Sequence, residues 1–120
     1  MPKSSKPYVC IVGSRSINDV NLDLFIDPDH IGCVETGGAS GVDALAEQWA
    51  NRHHIECIIF KAHWEKFGKR AGILRNRDMV EFSDAVIAFW DGRSKGTQST
   101  IEYAQKLGVP CYIHLVQNLD

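Results

Sequence analysis

The chain has 120 residues, a formal net charge of −2, and 44% hydrophobic against 23% charged residues. That length holds one core rather than two, and the composition excludes a disordered chain, a collagen-like repeat and a coiled coil. No apolar run reaches the roughly 20 residues of a membrane span, and residues 1–7 lack the apolar stretch of a signal peptide.

In chain order, residues 8–12 (YVCIV) read as a first strand, buried on both faces. Gly13-Ser-Arg-Ser16 follows as a turn. Residues 18–26 read as a helix, with Val20, Leu22, Leu24 and Phe25 as its apolar contacts. Residues 32–36 are a second strand that runs into Gly37-Gly-Ala-Ser-Gly41. Val42, Leu45, Ala46, Trp49 and Ala50 then keep the spacing of an amphipathic helix. Residues 55–60 are a third strand. A loop holding His63 and Trp64 leads to a helix over 71–82. Residues 85–90 (AVIAFW) form the most apolar strand and are expected at the centre of the sheet. A loop over 91–96, a helix over 97–107 and a last strand over 111–115, introduced by Gly108-Val-Pro110, complete the chain.

Strands alternating with helices predict an α/β fold. The expectation is a single Rossmann-like three-layer sandwich with a mainly parallel five-stranded sheet, spanning 1–120 with a flexible segment at 1–7. Ligands of such sheets sit beyond the carboxyl ends of the strands, where the strand order reverses. The loops 13–16, 37–41, 61–69 and 91–96 are therefore where chemistry is expected.

The cysteines (Cys10, Cys33, Cys57, Cys111) form no C-x-x-C pair and sit in apolar runs, so they read as small buried hydrophobes. Reduced thiols without a leader suggest a cytoplasmic protein. The five histidines show no metal-ligand spacing, so no metal and no cofactor are expected.

Two strand-to-helix junctions carry the chemistry. In Gly37-Gly38-Ala39-Ser40-Gly41, glycines let the backbone approach a ligand, and the helix start offers free N–H groups to an anion. Ser40 and Asp43 also have the spacing of a capping box, so Asp43 is either a cap or a ligand group. Asp91-Gly92-Arg93-Ser94-Lys95-Gly96-Thr97 is the second junction. It is neither a P-loop nor a dinucleotide fingerprint, but Arg93 and Lys95 could neutralise a phosphate that the Gly96 and Thr97 amides bind. On a wheel of about 100° per residue, Arg75 falls about 40° from Ala71, inside the apolar face of its helix. An arginine there needs an anion, which is either Asp78 or a bound phosphate or sugar. Lys61, Lys66, Lys69, Arg70, Arg75 and Arg77 are opposed in their stretch by few acids. Trp64 could stack on a base, whereas Trp49 and Trp90 read as packing residues.

Taken together, Gly13-Ser-Arg15, Gly37-Gly-Ala-Ser-Gly-Val-Asp-Ala44, Ala62-x-Trp64, Gly68-Lys-x-Ala-Gly72, Arg75-Asn-x-x-Met79, Asp84-Ala-Val-Ile-Ala88 and Gly96-Thr97 resemble the SLOG superfamily. The resemblance is strongest to its small YspA/YpsA-related branch. It implies a Rossmann-like fold and recognition of nucleotides or nucleotide-derived ligands, as in the LOG phosphoribohydrolases and the DprA DNA-processing domain. The LOG enzymes cleave the N-glycosidic bond of nucleoside monophosphates with an Arg and with the Glu of P-G-G-x-G-T-x-x-E. Arg75 matches that arginine, but the acid's position is Thr100, and Glu102 should face solvent.

The resulting expectation is a nucleotide-binding or nucleotide-sensing protein, with Ser14, Arg15, Gly37, Gly38, Ala39, Ser40, Asp43, Trp64, Arg75, Asn76, Asp91, Gly92, Ser94, Gly96 and Thr97 at the site. The catalytic candidates are Arg75, Asp43 and Asp91. The alternatives are a LOG-type phosphoribohydrolase and a DprA-like binder of single-stranded DNA. The negative net charge argues against nucleic acid as a partner. No membrane partner is expected, and self-association into a homo-oligomer is.

Overall fold

The structure, a computed structural model, describes residues 6–117. Five strands, β1 (Tyr8–Gly13), β2 (Cys33–Thr36), β3 (Glu56–Ile59), β4 (Ala85–Trp90) and β5 (Cys111–Leu115), pair in the order β3-β2-β1-β4-β5. Every pairing is parallel, so the sheet is wholly rather than mainly parallel. The middle strand is β1, not the more apolar β4 at 85–90. Both are interior, and their apolar character reflects cover on both faces more than position in the order.

One face is covered by α1 (Val42–Arg52) together with the irregular segment before β2. Val9, Ile11, Ile17, Leu22, Val34, Val42, Trp49 and Phe89 form the core there. The other face is covered by α3 (Ala71–Phe82) and α4 (Lys95–Leu107), over Cys10, Val12, Met79, Val80, Val86, Ala88 and Ile101. The short α2 (Trp64–Phe67) and a 3-10 turn over Gly68–Arg70 lie where a loop is expected.

The helix expected over 18–26 is reduced to a 3-10 turn at Leu22–Leu24. The reason is local. The Asn21 side chain accepts the Asp23 N–H at 3.1 Å and closes a turn. Asp27 does the same for Asp29 at 2.9 Å around Pro28. Asp23 then accepts from Trp49 Nε1–H at 2.7 Å, which ties this segment to α1. Trp49 is fully buried, as expected.

Helix α4 ends where Gly108 adopts φ +78, a left-handed conformation glycine takes without penalty. Of the segment expected to be flexible, residues 1–5 lie outside the described residues. Pro7 is held, its carbonyl accepting the Gly32 N–H at 2.9 Å. Cys10 and Cys33 are buried and Cys57 and Cys111 half-buried, all as free thiols. Burial pushes the Cys33 thiol up to about 12, so it stays protonated. No helix among the described residues is long and apolar enough to cross a membrane.

Candidate functional site

The strand order reverses between β1 and β4, and the loops leaving those two strands are bolted together there. Ser14 is the bolt. Its N–H donates to Phe89 O at 3.1 Å, and its hydroxyl accepts the Asp91 N–H at 3.2 Å and lies 2.8 Å from Ser94 Oγ. Gly13 is required beneath it, because a Cβ there would come within 2.5 Å of Phe89 O and a Val42 methyl. Asp91 folds its own loop: Oδ1 accepts the N–H groups of Arg93 and Ser94, both at 2.8 Å. Those two amides hold its carboxyl below the usual carboxylate range. Trp90 closes the loop from behind by donating Nε1–H to Ser94 O at 3.0 Å. Its packing role is therefore as expected.

The loop after β2 faces this junction. The expected capping box is absent: α1 is capped by Gly41 without a side-chain bond, and Ser40 is exposed. Gly41 has φ +74, and a Cβ on it would strike the carbonyls of Ser14 and Arg15. Asp43 instead turns back to accept the Ala39 N–H at 3.1 Å. Burial raises the Asp43 carboxyl above its ordinary value, while the Ala39 amide and Arg75 pull it back down.

Arg75 reaches the same place from α3. Nη1 donates to Gly37 O at 2.6 Å and, more weakly, to Phe60 O at 3.4 Å. Nε donates to Asn76 Oδ1 at 2.8 Å. No ion pair with Asp78, the expected structural partner, is formed. No carboxylate lies within ion-pair distance of Arg75 among the described residues. A Cβ at Gly37 would sit 2.7 Å from the guanidinium carbon, so glycine is what admits the arginine. Burial lowers the Arg75 pKa, with Asp43 opposing and Arg15 reinforcing the shift, but a guanidinium remains charged.

Two cavities meet at Arg15, Ala39 and Arg75. The first, of about 480 Å³, is lined by Ser14, Asp43, Lys69, Asn76, Asp91, Ser94, Gly96, Thr97 and Thr100 as well. Gly96 and Thr97 belong to the first turn of α4, whose cap Ser94 makes no side-chain bond to it, so this helix start faces the cavity with its amides available. Thr100 is buried, donates to Gly96 O at 3.0 Å and reaches the cavity wall, whereas Glu102 is exposed. The second cavity, of about 400 Å³, adds Gly37, Gly38, Glu47, Ile59, Lys61, Ala62 and Trp64. Trp64 is 51% exposed at its mouth.

Of the residues expected at the site, only Ser40 and Gly92 line neither cavity. Arg93, expected to meet a phosphate, is exposed and outside both. The basic run disperses: Arg77 lies over the Tyr103 ring and Lys66 over Phe67, leaving Lys61, Lys69 and Arg75 on the cavity walls with Arg15. Glu47 went unanticipated, although it stands one helical turn after Asp43 and so shares its face. Among the described residues no three His, Cys, Asp or Glu side chains gather as a metal site.

Residues 7–67 match the YspA, cpYpsA-related SLOG family. The chain is 41% identical over 114 residues to the Gene 61 protein of Mycobacterium phage D29, covering 85% of this chain and 91% of that protein. Its fold resembles DNA processing protein A from Helicobacter pylori, with a TM-score of 0.67 and 21% identity over 94% of this chain. The chain spans 66% of that protein, whose structure is described as showing a single-stranded DNA binding mode. That neighbour overturns the expectation that nucleic acid is no partner of such a chain. Net charge averages over the whole surface, whereas binding is governed by the local field, and here the cavity walls carry four cations (Arg15, Lys61, Lys69, Arg75) against three carboxylates (Asp43, Glu47, Asp91) on a chain of net charge −2. By the match across its first half and its likeness to the phage protein along most of its length, the chain belongs to the YspA, cpYpsA-related SLOG family.

Proposed function

We propose that this chain binds a nucleotide or nucleotide-derived ligand along the carboxyl rim of the sheet, gripping its phosphate and ribose. The observation that carries this reading is Arg75, a half-buried guanidinium held by two carbonyls and an amide oxygen, at the seam of two cavities, with no carboxylate in direct ion-pair contact and Asp43 acting on it only at longer range. A charge in that position, partly offset by Asp43, gains further from an incoming anion that pairs with it directly. The first turn of α4 supplies amides and a favourable dipole for the same anion. Asp43 and Asn76 offer an acceptor and an amide to ribose hydroxyls. Thr100, where the LOG enzymes carry their acid, favours holding a ligand over turning it over, because a hydroxyl cannot act as a carboxylate acid–base at neutral pH.

The test is to denature the purified protein, identify any co-purifying ligand by mass spectrometry, and titrate the emptied protein with nucleoside monophosphates by calorimetry. Binding that is lost in Arg75→Ala is expected. Absence of affinity for every nucleotide would overturn the reading.

A second reading is favoured by the exposed Arg15, Lys61 and Lys69 beside the cavities and by the fold shared with DNA processing protein A. In it, the bound nucleotide belongs to a single DNA strand. With three phosphates neutralised, log K should fall with log salt at a slope of about −2. A gel shift without salt dependence would exclude it.

A further inference from the structure

We propose that the second cavity is a base subsite selective for guanine, and that Glu47 is the residue that reads the base. The inference rests on the reading that a nucleotide lies along the rim, and it assigns the half of the site that the phosphate does not occupy.

Glu47 is half-buried on α1 and lines this cavity, one turn beyond Asp43. Its side chain makes no hydrogen bond or ion pair among the described residues. Lys61 lines the same cavity and forms no ion pair with it, so the cavity offers both an acceptor and a donor. The remaining walls suit a flat ring. Trp64 lies with one edge beside Gly72, its Cη2 3.3 Å from where a Cβ on that glycine would be, and it is half exposed. Gly38, at φ +74, carries no side chain to obstruct the ring, and it lies close over Ile59. An aromatic base can stack there on indole and aliphatic surface.

The polar groups then choose the base. An ionised carboxylate only accepts, through two oxygens side by side. Guanine presents two adjacent donors, N1–H and its 2-amino group, which match that pair. Its O6 and N7 are acceptors, which match Lys61 or Arg15. Adenine would set the N1 lone pair against the carboxylate, and hypoxanthine keeps N1–H but lacks the second donor. A bidentate pair of this kind discriminates by about tenfold to a hundredfold.

The experiment is calorimetric titration of the full chain with GMP, IMP, AMP and CMP, repeated on Glu47→Gln and Arg75→Ala. The expected result is GMP at least about tenfold tighter than AMP, with IMP between them. Glu47→Gln should erase that preference, weakening GMP and tightening AMP, because an amide can donate to adenine N1 and accept from its 6-amino group while Arg75 and α4 still hold the phosphate. If the variant folds poorly, the order among the four ligands on the unmodified chain decides alone. AMP binding as tightly as GMP, or a guanine preference that survives in Glu47→Gln, would overturn the base assignment. If the nucleotides bind without preference and lose affinity in Arg75→Ala, the base subsite is wrong and the nucleotide site stands. If no nucleotide binds, both are wrong.

Discussion

Replacing Arg75 by alanine separates two roles that the guanidinium could play, as a strut between loops or as the seat of an anion. As a strut between loops it makes one strong bond, to Gly37 O at 2.6 Å, and a long one to Phe60 O at 3.4 Å that contributes little, while its Nε bond to Asn76 Oδ1 at 2.8 Å stays within α3. A hydrogen bond from a charged donor is worth about 1.5–3 kcal/mol net. The substitution should therefore cost about 2 kcal/mol, a fall in Tm of about 8 °C for a domain of this size. As the seat of an anion, Arg75 would lose comparable charge-assisted bonds to the ligand, and affinity should fall about a hundredfold. Gly37→Ala probes the same role by another route. Its methyl group would occupy the space 2.7 Å from the guanidinium carbon and push the arginine aside, so affinity should fall although the charge is retained. Thermal denaturation and calorimetry on the wild type and both variants give the two quantities independently. Unchanged affinity alongside the full loss of Tm would refute the reasoning and leave Arg75 a strut.

Three further outcomes are expected. The wild type should release no free base from AMP, CMP or GMP at an ordinary enzymatic rate, and chromatography showing turnover near about 1 s⁻¹ would contradict this; Asp43→Asn and Asp91→Asn would then identify the carboxylate responsible. Glu35 is fully buried, with Oε1 at 2.5 Å from Ser83 Oγ and Oε2 without a partner. The same hydroxyl lies 2.6 Å from Met79 O, and its single proton cannot serve both oxygens, which suits a protonated Glu35. Burial raises the Glu35 carboxyl above its ordinary 4.5, so stability should fall as pH rises from that value through the raised one. Glu35→Gln should flatten the dependence, and a Tm–pH profile identical to that of the wild type would refute this; Asp43, also raised by burial, contributes with the same sign. Finally, edge strand β5 exposes Tyr112, Ile113 and Leu115 and carries no lysine, glutamate or proline to discourage pairing. Light scattering should therefore give more than 13.4 kDa, and that mass at high micromolar concentration would count against self-association.

The alternation of apolar strands and amphipathic helices determined the fold class, because a βαβ order leaves little topological choice. It also pointed to the loops after β1, β2, β3 and β4 as the place to look for a site, and residues of all four line the two cavities. Periodicity singled out Arg75 as a cation on an apolar face, since the geometry of a helix is contained in its residue spacing. Local turn chemistry defeated the same method at 18–26, where Asn21 and Asp27 draw their backbone into turns that an apolar count does not register. Asp43 has the spacing of a cap, and only the fold decided that it turns back to Ala39. The partner of Arg75 was likewise decided in three dimensions: Asp78 is near in sequence, but packing α3 against the sheet carries the guanidinium over Gly37, a residue 38 positions away. Which cations reach the cavities, and that Glu47 joins them, follows from how α1, β3 and α2 are packed together. Sequence encodes local spacing, whereas a binding site is a meeting of loops from distant strands, and its membership exists only once the sheet has formed.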